Sequence, residues 1–409
     1  MYDPVHGYIG LTEEELRIVD TVVFQRLHNI RQLGTAFFVY PGATHSRFAH
    51  SLGTMSVMSK IAQRLAELGI IEDAEDVKRL RLAALLHDVG HFPFSHALER
   101  PIKKRHEQLS THLIKNSCLK DCFDTFTSDE IASLITKEYV EKPIYSLLIS
   151  SDLDVDRIDY LLRDAHETGV SYGFIDIERL IRTIVIDKEQ HLAVEDKGRQ
   201  ALENFLVARY HMYQTVYYHK TVVCFELMLQ RIYEKLMESN KVYTYEEICK
   251  MSDEEFYEFN DNYIWNLLRE NHKDTGLLGD LISRFKNRHR LKRVFEIQGI
   301  AASGKEEPDY SRLGLIEVPY HLEGVSSKSG VPTDWIFYSK PKPLEILSKA
   351  EDETAIRIVD ENETSTPIAK DERSIISVFY DTCFLSSRVY TKDEFETALV
   401  KGIKDWFKI

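Results

Sequence analysis

Leu82-Ala83-Ala84-Leu85-Leu86-His87-Asp88-Val89-Gly90-His91 is a run in which an all-apolar stretch ends abruptly on an imidazole and a carboxylate. Apolar residues on every side mark a helix that is buried all round. His87 and Asp88 therefore emerge inside the protein, where a polar pair is costly unless something binds it. The spacing predicts a helix from about Glu75 to Asp88, broken by Gly90 and Pro93. The preceding helix reads from His50 to Leu68, with Leu52, Met55, Met58, Ile61, Ala62, Leu65 and Leu68 at three-and-four spacing, and Gly69 closes it. An antiparallel pair of these helices sets His50, at the start of one, beside His87 and Asp88 at the end of the next.

A fourth group comes from the segment Leu153 to Asp164. In helical register Asp156, Arg157, Tyr160 and Asp164 share one face, while Ile158, Leu161 and Leu162 serve the packing side. His50, His87, Asp88 and Asp156 are thus two imidazoles and two carboxylates, the residue types of a divalent-metal site inside a helical bundle. Such a site implies hydrolysis of a phosphate or similar ester. His45, His50, His87, His91, His96, His106 and His112 make seven of the sixteen histidines, a cluster too dense for packing alone. The mixed ligand set suits Mn, Fe, Zn, Ni or Co and does not select among them.

At 409 residues the chain exceeds the roughly 250 to 300 at which a single core stops growing, so two units are expected. The first, residues 1–240, reads mostly as helices. Thr12 with Glu15 is a capping box opening a helix with Leu16, Val19 and Val23 as its apolar stripe. Ser252 with Glu255 and Thr391 with Glu394 mark later helix starts. Trp335 to Tyr338, Ala355 to Val359 and Ile375 to Tyr380 read as short strands, and Asp360 to Glu372 as a surface loop. The expected class is mainly α, a helical bundle core with a smaller C-terminal α+β lobe over residues 241–409.

Composition narrows the function. Hydrophobic residues are 43% and charged residues 29% of the chain, a folded and soluble balance. A formal charge of −14 argues against nucleic acid as the main partner, since that affinity comes from phosphate neutralisation by Lys and Arg. No apolar stretch nears the ~18 residues that span a bilayer, and Met1-Tyr2-Asp3-Pro4 lacks a signal-peptide layout, so no membrane role and a cytoplasmic location are expected. The five cysteines are scattered and odd in number, which fits a reducing compartment. Cys118 and Cys122, one helical turn apart, read as packing residues.

The words around the four ligands narrow the reading further. Asp3-Pro4-Val5-His6-Gly7, Phe24-Gln25-Arg26-Leu27, Arg31-Gln32-Leu33-Gly34, His45-Ser46-Arg47-Phe48-Ala49-His50-Ser51-Leu52-Gly53 and Leu86 through His96 resemble the deoxynucleoside triphosphate triphosphohydrolases of the HD superfamily of metal-dependent phosphohydrolases. That group includes dGTPase-like enzymes, the mammalian enzyme pairing a SAM domain with an HD domain, and its SAM-less prokaryotic relatives. The resemblance continues through Asp154–Asp164 and Arg209–Lys220, covers roughly residues 1–225, and is faint beyond about 240.

The resemblance implies roles. His50, His87, Asp88 and Asp156 match the metal ligands of the HD-domain bundle. His106 and Glu107 match a histidine–acid pair for proton transfer, and His91 and His96 match histidines facing the phosphates, with His96 as general acid for the departing nucleoside oxygen. Arg47, Arg157 and Arg209 match phosphate contacts, although relatives often carry lysine at position 157. Gln32, Leu33, Tyr160, Asp164 and Tyr217 match a sugar pocket in which a tyrosine leaves no room for a 2′-hydroxyl. The implied reaction is water attack at the α-phosphorus of a deoxynucleoside triphosphate, releasing deoxynucleoside and inorganic tripolyphosphate, with Mg accompanying the triphosphate.

Relatives assemble as dimers of dimers, which implies a homotetramer with nucleotide effectors between subunits. Of the guanine-activator residues, Asp20 and Gln25 match, but the arginine position is His28 and the contributors upstream of Asp3 are absent, so guanine-specific activation is not expected. Arg284, Lys286, Arg288, Arg290, Lys292 and Arg293 weakly resemble a basic effector segment and read first as a solvated helix face. Two other functions stay open. One is an HD phosphohydrolase acting on a nucleoside monophosphate or short oligonucleotide, which would not need Gln32, Arg47, Arg157, Arg209 and Tyr217 together. The other is a non-enzymatic nucleotide- or nucleic-acid-binding scaffold, against which the intact ligand set weighs.

Overall fold

Helices Arg47–Glu67 and Ala74–Leu86 pack against each other, and Val155–Thr168 packs across the first of them. A computed structural model of the chain describes residues 1–123, 126–302, 318, 321–339, 344–345, 352, 354–379 and 382–407. The fold is mainly α with small sheets, as the periodicities predict. Around the central three helices lie His106–Asn116, Arg199–Met212 and Lys220–Glu238, the last burying Val222, Phe225, Met228, Leu229, Ile232 and Tyr233 on one side. Asp73 caps Ala74–Leu86 by accepting from the Glu75 amide. Asp154 does the same for Val155–Thr168, accepting from Arg157 N at 2.7 Å. Each cap satisfies an orphan donor and fixes where the helix starts.

The apolar core does not divide near residue 240. Ile248, Phe256, Phe259, Ile264, Leu268, Leu281 and Phe285 belong to the same core as Met55 and Leu85. A second cluster gathers around Val325, Ile336, Val389, Leu399 and Ile403, and a small third one holds Ala36, Ala43 and Val222. Leu192–Glu195 also pairs in parallel with Arg357–Val359, inside a four-stranded sheet completed by Ile184–Ile186 and Ser365–Pro367. A second sheet pairs Thr382–Thr391 with Lys292–Ala302 and with Phe337–Ser339.

Several local expectations are corrected. The first helix ends at Val19, leaving Leu16 43% exposed, and Val23 sits in a separate short helix capped by Thr21. Ile375–Phe379 is a 3-10 turn rather than a strand: Ile376 is buried while Ile375 and Val378 are exposed, and Ser374 bonds the turn's amides. Tyr380 and the Cys383 side chain lie outside the described residues. Thr391 opens no helix, because it ends a strand and its hydroxyl donates to Trp335 O; the helix begins at Glu396. Within Asp360–Glu372, an edge strand and a short turn bury Ile368 and Asp371, so only its first residues form an exposed turn.

Candidate active site

His50 sits in the first turn of Arg47–Glu67 with no exposed surface, and His87 caps the end of Ala74–Leu86. His50 Nε2 stands 3.0 Å from Asp156 Oδ1 and 3.4 Å from Asp88 Oδ2. His87 Nε2 stands 3.3 Å from Asp88 Oδ1 and 3.7 Å from Asp156 Oδ1. Despite these approaches, both Nε2 atoms are buried without a hydrogen-bond partner. Their other ring nitrogens are committed: His50 Nδ1 to Asp159 Oδ2 at 2.7 Å, and His87 Nδ1 to the Ala84 carbonyl at 2.8 Å. Donating from Nδ1 leaves each Nε2 lone pair aimed at the space between the carboxylates, the arrangement that orients a metal-ligating histidine. His50, His87 and Asp156 thus bring ligand atoms within 4.8 Å of one another and fit a divalent ion, while Asp88 stands beside them paired with Arg47.

Asp159 is a supporting group that the sequence reading left out. It also takes His6 Nε2 at 2.6 Å and two nitrogens of Arg163, which in turn binds Asp3 at 2.7 Å. The N-terminal hairpin Tyr2–Asp3/Gly7–Tyr8 delivers Asp3 and His6 to this network. Burial opposes the charge on Asp159, but Arg163, His50 and His6 hold it well below the usual carboxylate range. Burial likewise pulls His50 down, yet the Asp156 and Asp159 carboxylates outweigh it and raise its pKa to about 10.

Gly90 lets the helix carrying His106 come close. A side chain there would stand 2.6 Å from Leu109 C and 2.7 Å from His106 O, and its amide donates to Ser110 Oγ at 2.9 Å. His106 stacks on buried His91 with centroids 3.7 Å apart, and its Nε2 lies 3.7 Å from Asp88 Oδ1. Its acid partner is Glu99 rather than Glu107. Glu99 Oε1 is 2.6 Å from His106 Nδ1, while Glu107 is 3.6 Å away and turned to Arg105. A neighbour in sequence on a helix points about 100° away, so adjacency does not pair the two groups. Glu99 also holds His96 Nδ1 at 3.1 Å, and His96 is largely exposed. Ligand-type atoms of His91, His96, Glu99 and His106 lie within 4.8 Å of one another. Burial, reinforced by Arg47, keeps the His91 pKa well below its usual value.

Arg47 pairs with Asp88 and donates to Ser95 Oγ at 2.8 Å. Arg157 reaches Asp152 at 3.4 Å and Asp154 at 3.5 Å, and Arg209 lies 3.9 Å from Asp152. Asp164 is held between His45 Nε2 at 2.8 Å and the Tyr217 hydroxyl at 2.7 Å, with Tyr160 edge-on to Tyr217. Gln32 is buried with Oε1 unpaired, and Leu33 packs against the core. A cleft of about 1130 Å³ reaches His87, Asp88, Asp156, His96, His106 and Tyr217. Gln32, Leu33, Arg47, Arg157, Tyr160, Asp164 and Arg209, the expected phosphate and sugar residues, are not among the residues that line this cleft. Residues beyond 240 clamp the loops beneath: Asp261 accepts from Phe94 N at 2.6 Å and Arg31 N at 3.1 Å.

An HD domain model matches residues 47–164, and a model of the HD associated region matches 175–364. The chain is 34% identical over 352 residues to the uncharacterized protein YwfO of Bacillus subtilis, covering 81% of this chain and 80% of that protein. The chain belongs to the HD-domain family. Its HD domain thus begins at Arg47 and ends at Asp164, bracketing all four proposed ligands. An uncharacterized protein of Methanocaldococcus jannaschii is 40% identical over 64% of this chain, a match spanning only 55% of that relative. The deoxynucleoside triphosphate triphosphohydrolase SAMHD1 of Gallus gallus is 27% identical over 86% of this chain and 68% of its own length. The crystal structure of a phosphohydrolase from Bacteroides thetaiotaomicron superposes with a TM-score of 0.76 at 27% identity, covering 96% of this chain and 99% of the other. No helix among the described residues is long and apolar enough to cross a membrane.

Proposed function

We propose that this HD domain hydrolyses deoxynucleoside triphosphates to deoxynucleoside and inorganic tripolyphosphate. The observation that carries the reading is that helix Val155–Thr168 brings Asp156 to the orphaned imidazoles and, two turns on, Asp164 to Tyr217. Ester chemistry and a sugar-sized recognition pair then lie along one helix. Similarity to the Gallus gallus enzyme supports the same substrate class. A divalent ion held by His50, His87, Asp88 and Asp156 would supply Lewis acidity and a polarised water. Arg47, Arg157 and Arg209 neutralise phosphate oxygens, exchanging their present aspartate partners for the substrate. As the Pα–O5′ bond breaks, His96 gives a proton to O5′, and His106, held by Glu99, accepts the proton of the attacking water. Tyr217 stays a neutral donor to Asp164, since burial and that carboxylate push its pKa far up.

Assembly as a dimer of dimers with a nucleotide effector between subunits belongs to the same proposal; light scattering with and without nucleotides tests it. The decisive assay incubates metal-loaded protein with each deoxynucleotide and ribonucleotide and identifies the phosphate product. Tripolyphosphate is expected. Pyrophosphate or orthophosphate would refute the bond assignment.

Glu99→Gln is expected to lower kcat about 10- to 100-fold at unchanged metal content, the usual cost of losing a group that orients a reacting side chain. Glu107→Gln should change kcat less than about threefold, because its partner is Arg105. Equal losses in the two variants would restore Glu107 as the acid partner.

A further inference from the structure

Beyond Tyr217 the cleft continues between helix Lys220–Glu238 and the strands Phe337–Ser339 and Thr382–Thr391, so residues far outside the HD domain build one of its walls. Its total volume, about 1130 Å³, exceeds the roughly 300–1,000 Å³ of small-ligand pockets and leaves room past the metal and sugar groups. Two polar atoms in this lobe lack protein partners. Ser386 is 5% exposed with its Oγ unpaired, and across the lobe Gln230 Oε1 is buried and unpaired. Buried side-chain oxygens are almost always hydrogen-bonded, so two orphans lining one cavity point to a ligand that supplies their partners.

The remaining wall indicates what kind of ligand. Tyr218, Val223 and Leu227 offer aromatic and aliphatic surface. Arg388, the cation of the strand wall, is already committed to Glu296 at 2.6 Å, Gln298 at 3.4 Å and the Tyr218 carbonyl at 2.7 Å. Glu226 adds a carboxylate and Arg100 a guanidinium to the cleft wall, so its charge is mixed, and Ser386 and Gln230 suit a ligand with neutral hydrogen-bonding edges. The wall is also fixed relative to the sugar-side tyrosine. Tyr213–Tyr217 is a π-helical turn that gives way to Lys220–Glu238, and Arg388 and Tyr390 bond the Tyr218 and Lys220 carbonyls at that break. π turns are frequent at functional sites because they re-aim a side chain.

We propose that this lobe is a nucleobase subsite in which Ser386 and Gln230 hydrogen-bond the edge of the base, with Tyr218, Val223 and Leu227 against its faces. The proposal rests on the deoxynucleotide reading of the adjacent site, and it gives the C-terminal sheet a part in substrate recognition.

The test compares wild type, Ser386→Ala and Gln230→Leu in two assays: calorimetric binding of the four deoxynucleosides, which carry no phosphate, and kcat/KM for the four deoxynucleoside triphosphates. Each variant is expected to weaken at least one base about tenfold relative to another, because a site built to hydrogen-bond a ligand discriminates by those bonds. Binding of inorganic tripolyphosphate and the thermal midpoint should not change. An unaltered base ranking in both assays for both variants, or a loss that falls equally on tripolyphosphate, overturns the subsite. If wild type hydrolyses no deoxynucleotide yet binds deoxynucleosides in a variant-sensitive way, the subsite stands and the hydrolysis reading fails.

Discussion

Asp156→Ala is expected to strip the bound metal and to lower hydrolysis by about a thousandfold or more, since a polarising ion is worth several kcal/mol of transition-state stabilisation. Asp156 is the group from the third helix that approaches both imidazoles, at 3.0 and 3.7 Å. Without it the remaining carboxylate, Asp88, is already paired with Arg47. Elemental analysis after dialysis reads the metal, and product assay reads the activity; full metal content in the variant would show the ligand assignment to be wrong. Asp154→Asn is the control. It changes an N-cap, worth about 1 kcal/mol or less, and should leave the metal in place. Metal uptake should also depend on pH in a defined direction. The ion competes with the proton that the Asp156 and Asp159 carboxylates favour on His50, whose pKa is raised to about 10. Below that pH binding must release the proton, so apparent affinity rises with pH and falls as the solution is acidified.

The juxtaposition of His50, His87, Asp88 and Asp156 was readable because each sits at a helix end or on a helix face whose register the apolar spacing defines. Asp159 and Arg163 were not, although they lie on the same helix. They were left unassigned because the partners that explain them, His6 and Asp3, are more than 150 positions away and arrive through a hairpin too short to show periodicity. Glu99 was missed for a related reason. It meets His106 across the turn at Lys103, whose left-handed backbone, at φ 58°, ends the short helix Glu99–Ile102, and no spacing rule anticipates that conformation for a lysine. In the C-terminal part, the β-branched run Ile375–Phe379 suggests a strand, yet it buries only Ile376 and leaves Ile375 and Val378 exposed in a 3-10 turn. The capping boxes at Thr12 and Ser252 did form, because there the helix-start signal competes with no strand pairing.

Gly53→Ala is expected to cost about 3–5 kcal/mol of stability, the scale of disrupting a buried ion pair. Helix propensity alone predicts the opposite sign, a gain of about 1 kcal/mol when alanine replaces a mid-helix glycine. Packing decides the outcome. A Cβ at residue 53 would overlap the Asp159 carboxylate and the Arg163 guanidinium, which pass across helix Arg47–Glu67 at that point. Neither group can yield cheaply. Arg163 and Asp159 have no exposed surface, and their atoms are shared with Asp3, His6 and His50. Displacing Asp159 also frees His50 Nδ1, so metal affinity should fall together with stability, although Gly53 touches no proposed ligand. Gly10→Ala provides the contrast: no atom lies within 4 Å of its added Cβ, and the change should stay within about 0.5 kcal/mol. Urea unfolding of both variants, with and without added metal, separates the effects. A Gly53→Ala protein as stable as wild type would show that the two helices can part without loss, and the buried Asp3–Arg163–Asp159–His50 chain would then not be what fixes the metal-binding imidazole.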